Sequence, residues 1–175
     1  MVVAEAEVVV HPVVGKVASA CGVTALTGHL IRTRHFDAAT LDRIADAIRS
    51  SELEHDGELL VVIETHLPSG TPVSHDRALE VFGVQRVWDT NDGTGLLLYI
   101  ALGDHCIELV ADRGITVADE VWTDICAQLQ SRFAEKDFAE GLIAAIKAIE
   151  TTLLGHLPRT DGTARNALSD RPVML

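Results

Sequence analysis

Two short stretches carry most of the residues able to do chemistry: Asp89-Thr90-Asn91-Asp92-Gly93 and Asp112-Arg113-Gly114. Carboxylate and amide oxygens in a glycine-containing loop are the ligands a hard cation such as Ca²⁺ or Mg²⁺ accepts. An EF-hand does not fit: counted from Asp89, the fifth position is Gly93 and the twelfth is Ile100, inside an apolar run. An Asp-x-Asp phosphotransfer motif does not fit either, because Asn91 replaces the second acid and no apolar strand precedes it. What remains is an oxygen-rich loop that helps bind a cation, or a plain Asx/Gly turn. In the second stretch, Asp112 could hold metal while Arg113 offers its planar fork to phosphate. The competing reading is a surface ion pair, with Gly114 at positive φ. Asp89, Asp92 and Asp112 are therefore the metal candidates and Arg113 the phosphate candidate.

Other chemistry is thinly represented. His55-Asp56 and His75-Asp76 look like the His-Asp pairs of metal phosphohydrolases, but both fall at turn or helix-cap positions. No HExxH, GxSxG, P-loop or GxGxxG pattern occurs, so zinc-protease, serine-hydrolase and nucleotide-binding readings have no basis. Cys21, Cys106 and Cys126 show no CxxC spacing and read as reduced thiols, Cys106 and Cys126 within apolar patterns. Trp88, beside the acidic loop, is a lid over the core or an exposed anchor.

The elements that must position these loops are legible. GLLLYIA at 95–101 is apolar at nearly every position, which suits a strand covered on both faces. After Leu102-Gly103-Asp104, residues 105–111 return as the second strand of a hairpin. Upstream, Asp37 caps a helix over 38–52 with Leu41, Ile44, Ala45 and Ile48 on one face. ELLVVIET at 58–65 is a strand, and Ser74 caps a short helix with Ala78, Leu79 and Phe82. Downstream, Trp122, Ile125, Cys126, Leu129 and Phe133 form a helical stripe. Asp137 then caps a last helix, stopped by Gly155 and Pro158. Strand, helix and strand over 58–101 imply a parallel crossover, and the hairpin adds an antiparallel neighbour. The expected fold is α/β, a three-layer α/β/α sandwich on a small mixed sheet.

Residues 37–158 form the domain. Residues 1–36 read as a poorly defined extension with an edge strand at Val8–Val14, and Gly15, Gly22 and Gly28 argue against a helix there. Residues 159–175 read as a flexible tail. Over 175 residues the formal charge is −12, and residues 37–158 alone carry 22 acids against 8 Lys and Arg. Such a body repels phosphate backbones, so nucleic acid is not an expected partner. No stretch approaches the roughly 20 apolar residues that span a bilayer. Glu5, Glu7 and Pro12 break up any signal peptide, so the expected location is the cytoplasm.

Taken in order, GELLVVIET, ALEVFGVQRVWDTNDGTGLLLYIALGDHCIELVADRGI, W-x-x-IC and RFAEKDFAEGLIAAI resemble the TPM domain over about residues 38–157. The resemblance implies the same α/β/α sandwich, a divalent-cation site and, for some members, weak acid-phosphatase activity. In plastids it implies turnover of photosystem components, and in bacteria envelope-related roles. Asp89 and Asp92 match the family's acidic loop, and Asp112 lies near its turn after the second hairpin strand. Many relatives carry Gly-apolar-Glu at that turn, where this chain has Gly114-Ile115-Thr116, so one acidic ligand is absent. Many also carry a signal peptide and a membrane helix, which are not expected here. The resemblance thus leads to an interaction or envelope-maintenance module with an unidentified protein partner and a Ca²⁺ or Mg²⁺ site. The alternative is a weak metal-dependent acid phosphatase acting on a phosphate ester anchored by Arg113.

Overall fold

The computed structural model describes residues 25–71, 73–90, 92–159 and 167–175, so the edge strand expected at Val8–Val14, Gly15, Cys21 and Gly22 lie outside the described residues. Ala25–His35 is a helix, α1, where the glycine spacing argues against one. Gly28 does not break this helix; it lets the helix approach the sheet. A Cβ there would sit 1.9 Å from the Thr65 carbonyl oxygen and 3.0 Å from Gly103 N. Phe36, just beyond α1, is buried.

Ala38–Ser51 (α2) buries Ile44, Ala45 and Ile48 at helical spacing, and Asp37 caps it by accepting from Thr40 N at 2.8 Å. Glu58–Glu64 (β1), Gly95–Ala101 (β2) and Cys106–Ala111 (β3) follow the expected strands within a residue. Ser74–Val84 (α3) joins β1 to β2. Asp119–Ala134 (α4), Phe138–His156 (α5) and the two-residue strand Val173–Met174 (β4) complete the fold.

The sheet order is β3-β2-β1-β4. β1 pairs parallel with β2, Glu58 opposite Gly95, while β2 and β3 run antiparallel with Tyr99 opposite Glu108. Every residue of β1 and β2 is buried. One face, with Leu59, Val61, Leu96 and Leu98, packs in the core formed by Trp122 of α4, Ile146 of α5 and Ile44 of α2. The other, with Leu60, Val62, Leu97 and Tyr99, packs under Ala78, Val81 and Phe82 of α3. This is the expected α/β/α sandwich on a mixed sheet. Among the described residues no helix is long and apolar enough to cross a membrane.

Two local expectations are corrected. Ser74 is the first residue of α3 rather than its cap, because its hydroxyl donates to Glu108 at 2.5 Å. Asp137 precedes α5, but its carboxylate is drawn to Arg132 instead of the helix amides. α5 ends between the two expected stops, running one residue past Gly155 to His156 before Pro158.

The C-terminal residues are also no free tail. β4 lies parallel against β1, and Leu175 N donates to Ile63 O at 2.9 Å. Unpaired backbone groups on the β1 edge supply the reason. Glu58 holds the approach, accepting from Ala167 N and Leu168 N at 2.8 and 2.9 Å. Beside it, buried Glu52 accepts from Leu59 N at 2.9 Å. Burial, reinforced by the nearby charges of Asp170 and Glu58, pushes Glu52 up to about 8, so it holds its proton at neutral pH.

Two outcomes follow. Gly28→Ala should cost about 2 kcal/mol, roughly 6 °C in Tm, by forcing α1 off Thr65; thermal melting checks this. Folded Glu52 binds a proton that the unfolded chain releases near the ordinary carboxylate range. Stability should therefore fall as pH rises from about 5 to about 8. Glu52→Gln keeps the acceptor for Leu59 N, and Tm measured across that range should then be flatter with pH.

Candidate functional site

The two chemistry-bearing stretches meet at one end of the sheet. β2 begins just after the Asp-rich loop and β3 ends just before Asp112, so antiparallel pairing brings the two bends together. Asp112 N donates to Gly95 O and Gly114 N donates to Gly93 O, at 2.9 and 2.8 Å. The bends interlock through glycine: a Cβ on Gly114 would lie 2.3 Å from Asp92 O, and one on Gly93 3.3 Å from Asp112 Oδ2. Gly93 also has φ +66, a conformation that favours glycine. Thr90 shapes the loop by accepting from Thr94 N at 2.8 Å.

The four candidates differ in setting. Asp112 is buried, 5% exposed, and its Oδ1 accepts from Arg113 N at 2.7 Å. Arg113 is exposed, its side chain passes close to Gly93, and it borders a cavity of about 170 Å³ with Asp119 and Trp122. Asp92 is exposed on the loop. Asp89 is drawn aside by Arg86, 2.5 Å from its carboxylate, and Arg86 lies 5.7 Å over the ring of Trp88. Trp88 is accordingly an exposed residue rather than a lid. Among the described residues, no three His, Cys, Asp or Glu side chains are gathered as a metal-binding group.

Of the two His-Asp pairs, the first has its ring held within the fold. His55 is buried; its Nδ1 accepts from Gly57 N at 3.2 Å and its Nε2 meets Ser51 Oγ at 3.1 Å. Burial lowers its pKa, so the ring stays neutral. Cys126 is pushed up to about 12, first by burial and then by the charge of Glu108, which makes it an inert core thiol.

A second polar cluster escaped the reading of motifs. Beneath α3, Arg77 donates to both oxygens of buried Glu64, at 2.8 and 3.1 Å, and Tyr99 donates to Glu64 as well. Burial and the hydrogen bond to Glu64 raise the Tyr99 pKa, keeping its proton in place. Glu108, also buried, accepts from Ser74 and lies 3.5 Å from His75 Nδ1. The available signal was the presence of Glu64, Tyr99 and Glu108 inside otherwise apolar strands, since a buried charge needs a partner. The Arg77–Glu64 pair locks α3 onto the sheet.

A family model described as the TPM domain matches residues 32–152 of the chain. The solved structure of BA42, from the psychrophilic bacterium Bizionia argentinensis, is 26% identical, with a TM-score of 0.72. That similarity covers 81% of this chain and 97% of BA42. None of the curated proteins compared matches the chain.

Arg77→Met should leave Glu64 charged and uncompensated beneath α3, costing about 3 kcal/mol. Arg77→Met combined with Glu64→Leu should recover much of that loss, and urea unfolding of the three variants checks it.

Proposed function

The chain belongs to the TPM domain family, and from that membership we propose a binding module whose Asp92–Asp112 rim takes a divalent cation and meets a protein partner. The observation that carries this reading is the glycine interlock, which keeps the buried Asp112 carboxylate beneath the oxygens of the Asp92-Gly93 turn. Calcium accepts roughly six to eight oxygens, carbonyls among them, in a flexible geometry. One buried carboxylate, one exposed carboxylate and loop carbonyls fit such a contact loosely. Asp89 joins only by giving up Arg86. Weak binding is the consequence, because affinity follows the number of charged ligands and their rigidity. A cation held there would supply positive charge to an anionic partner group.

One observation favours phosphatase chemistry as a second reading. Arg113 is in no ion pair among the described residues and stands beside Asp112, a setting suited to anchoring a phosphate. Among the described residues no Ser, Cys or His lines the cavity that Arg113 borders, which favours binding over turnover.

Titration of the full chain with CaCl2, followed by amide NMR, should give saturable shifts confined to residues 89–93 and 112–114. The Kd should be on the order of 1 mM, and Asp112→Asn should weaken it severalfold. Absence of saturation at about ten times that concentration would overturn the cation contact. Turnover of p-nitrophenyl phosphate that disappears in both Asp112→Asn and Arg113→Gln would replace the binding reading with the phosphatase one.

A further inference from the structure

At the opposite end of the sheet from the acidic rim, the β2–β3 hairpin, α1 and the corner between α4 and α5 enclose an apolar cleft. Its inner part is a cavity of about 170 Å³ floored by Ile100, Leu102 and Ile107 and walled by Ile31, Phe133 and Phe138. Its outer part, about 330 Å³, shares Ile31, Phe133 and Phe138 and opens past Leu30, which is 59% exposed. Together they have the size and apolar lining of a small-ligand site.

The mouth is basic on a protein that is otherwise strongly acidic. Arg34, His35, His105 and Lys136 border the outer part, and among the described residues no Asp or Glu does. Nearby, Arg43 is taken up by Glu140 and Arg132 by Asp137. Arg34 and Lys136 stand in no ion pair among the described residues. His105 and Lys136 also hold left-handed backbone conformations, φ 56 and 65, at the hairpin turn and the helix corner. Histidine adopts that conformation more readily than most residues and lysine does not, and at both turns the side chains border the mouth.

We propose that this cleft binds a small amphipathic anion, with its single apolar chain in the Ile31–Phe138 cavity and its head group between Arg34 and Lys136. The two requirements come from different parts of the structure: the buried cavity selects a chain by its apolar surface, and the unpaired cations select the sign of the head. A neutral apolar molecule leaves the cations unused, and a hydrophilic anion leaves the cavity wet. Carboxylate and phosphate heads share the required charge. The site lies apart from the Asp92–Asp112 rim and does not depend on cation binding there.

The test uses the full chain and three ten-carbon probes at submicellar concentration: decanoate, decyl phosphate and decyltrimethylammonium. Butyrate serves as a control with a head and almost no chain. Amide and methyl NMR should show saturable shifts at Ile31, Ile107, Phe133 and Phe138 with decanoate or decyl phosphate, and the tighter of the two identifies the head group. The cationic probe and butyrate should bind at least tenfold more weakly. Arg34→Gln with Lys136→Asn, both exposed changes, should weaken the anions about fivefold, the size of two surface charge pairs. Ala134→Trp, which crowds the mouth, should weaken every chain-bearing probe. Equal binding of anionic and cationic probes, insensitivity to the charge changes, or shifts located elsewhere would each overturn the proposal, as would no saturable binding.

Discussion

Arg77 reaches down from α3 onto Glu64, at the last position of a strand buried on both faces. A carboxylate in that place is tolerable only because a guanidinium and the Tyr99 hydroxyl both donate to it. The pair fixes α3 over the sheet, and with it the apolar contacts of Ala78, Val81 and Phe82. It also orders the neighbouring row, in which Ser74 and His75 at the start of α3 meet Glu108 on β3. Whether such a pair adds net stability over an apolar substitute is a separate matter from what it specifies. Here it specifies which turn of α3 faces which strand.

With α3 and the four helices of the other layer in place, the sheet has two ends of opposite character. One brings Asp92 and Asp112 together around a pair of interlocked glycines. The other closes over an apolar cleft and carries Arg34 and Lys136 at its mouth. Each end is made by turns joining the same three strands, so both depend on the register that sets Tyr99 opposite Glu108. The edge of β1 is closed separately by β4, whose approach is held through Glu58.

Much of this was legible in the order of residues. The uninterrupted apolar runs of β1 and β2 demand cover on both faces; the helical stripe at Trp122, Ile125, Cys126 and Leu129 supplies one and Ala78 and Phe82 of α3 the other. Asp37 was readable as a cap because its spacing to Thr40 is local. Ser74 and Asp137 looked alike by the same rule, yet Glu108 and Arg132 claimed their side chains. The helix at Ala25–His35 is not legible in the sequence, because glycine disfavours a helix on its own, whereas the close approach to Thr65 requires it.

Local pattern and composition thus determined the sandwich, its strand order along the chain and the identity of two polar bends, since burial and backbone preference act over a few residues. Tertiary structure alone decided which charges meet. It paired Asp89 with Arg86, sank Asp112 beneath Gly93, tied Glu64 to Arg77 and left Arg34 and Lys136 unpaired beside an apolar cleft. Electrostatic partnership depends on distances across strands and layers, and those distances exist only once the register and helix positions are set.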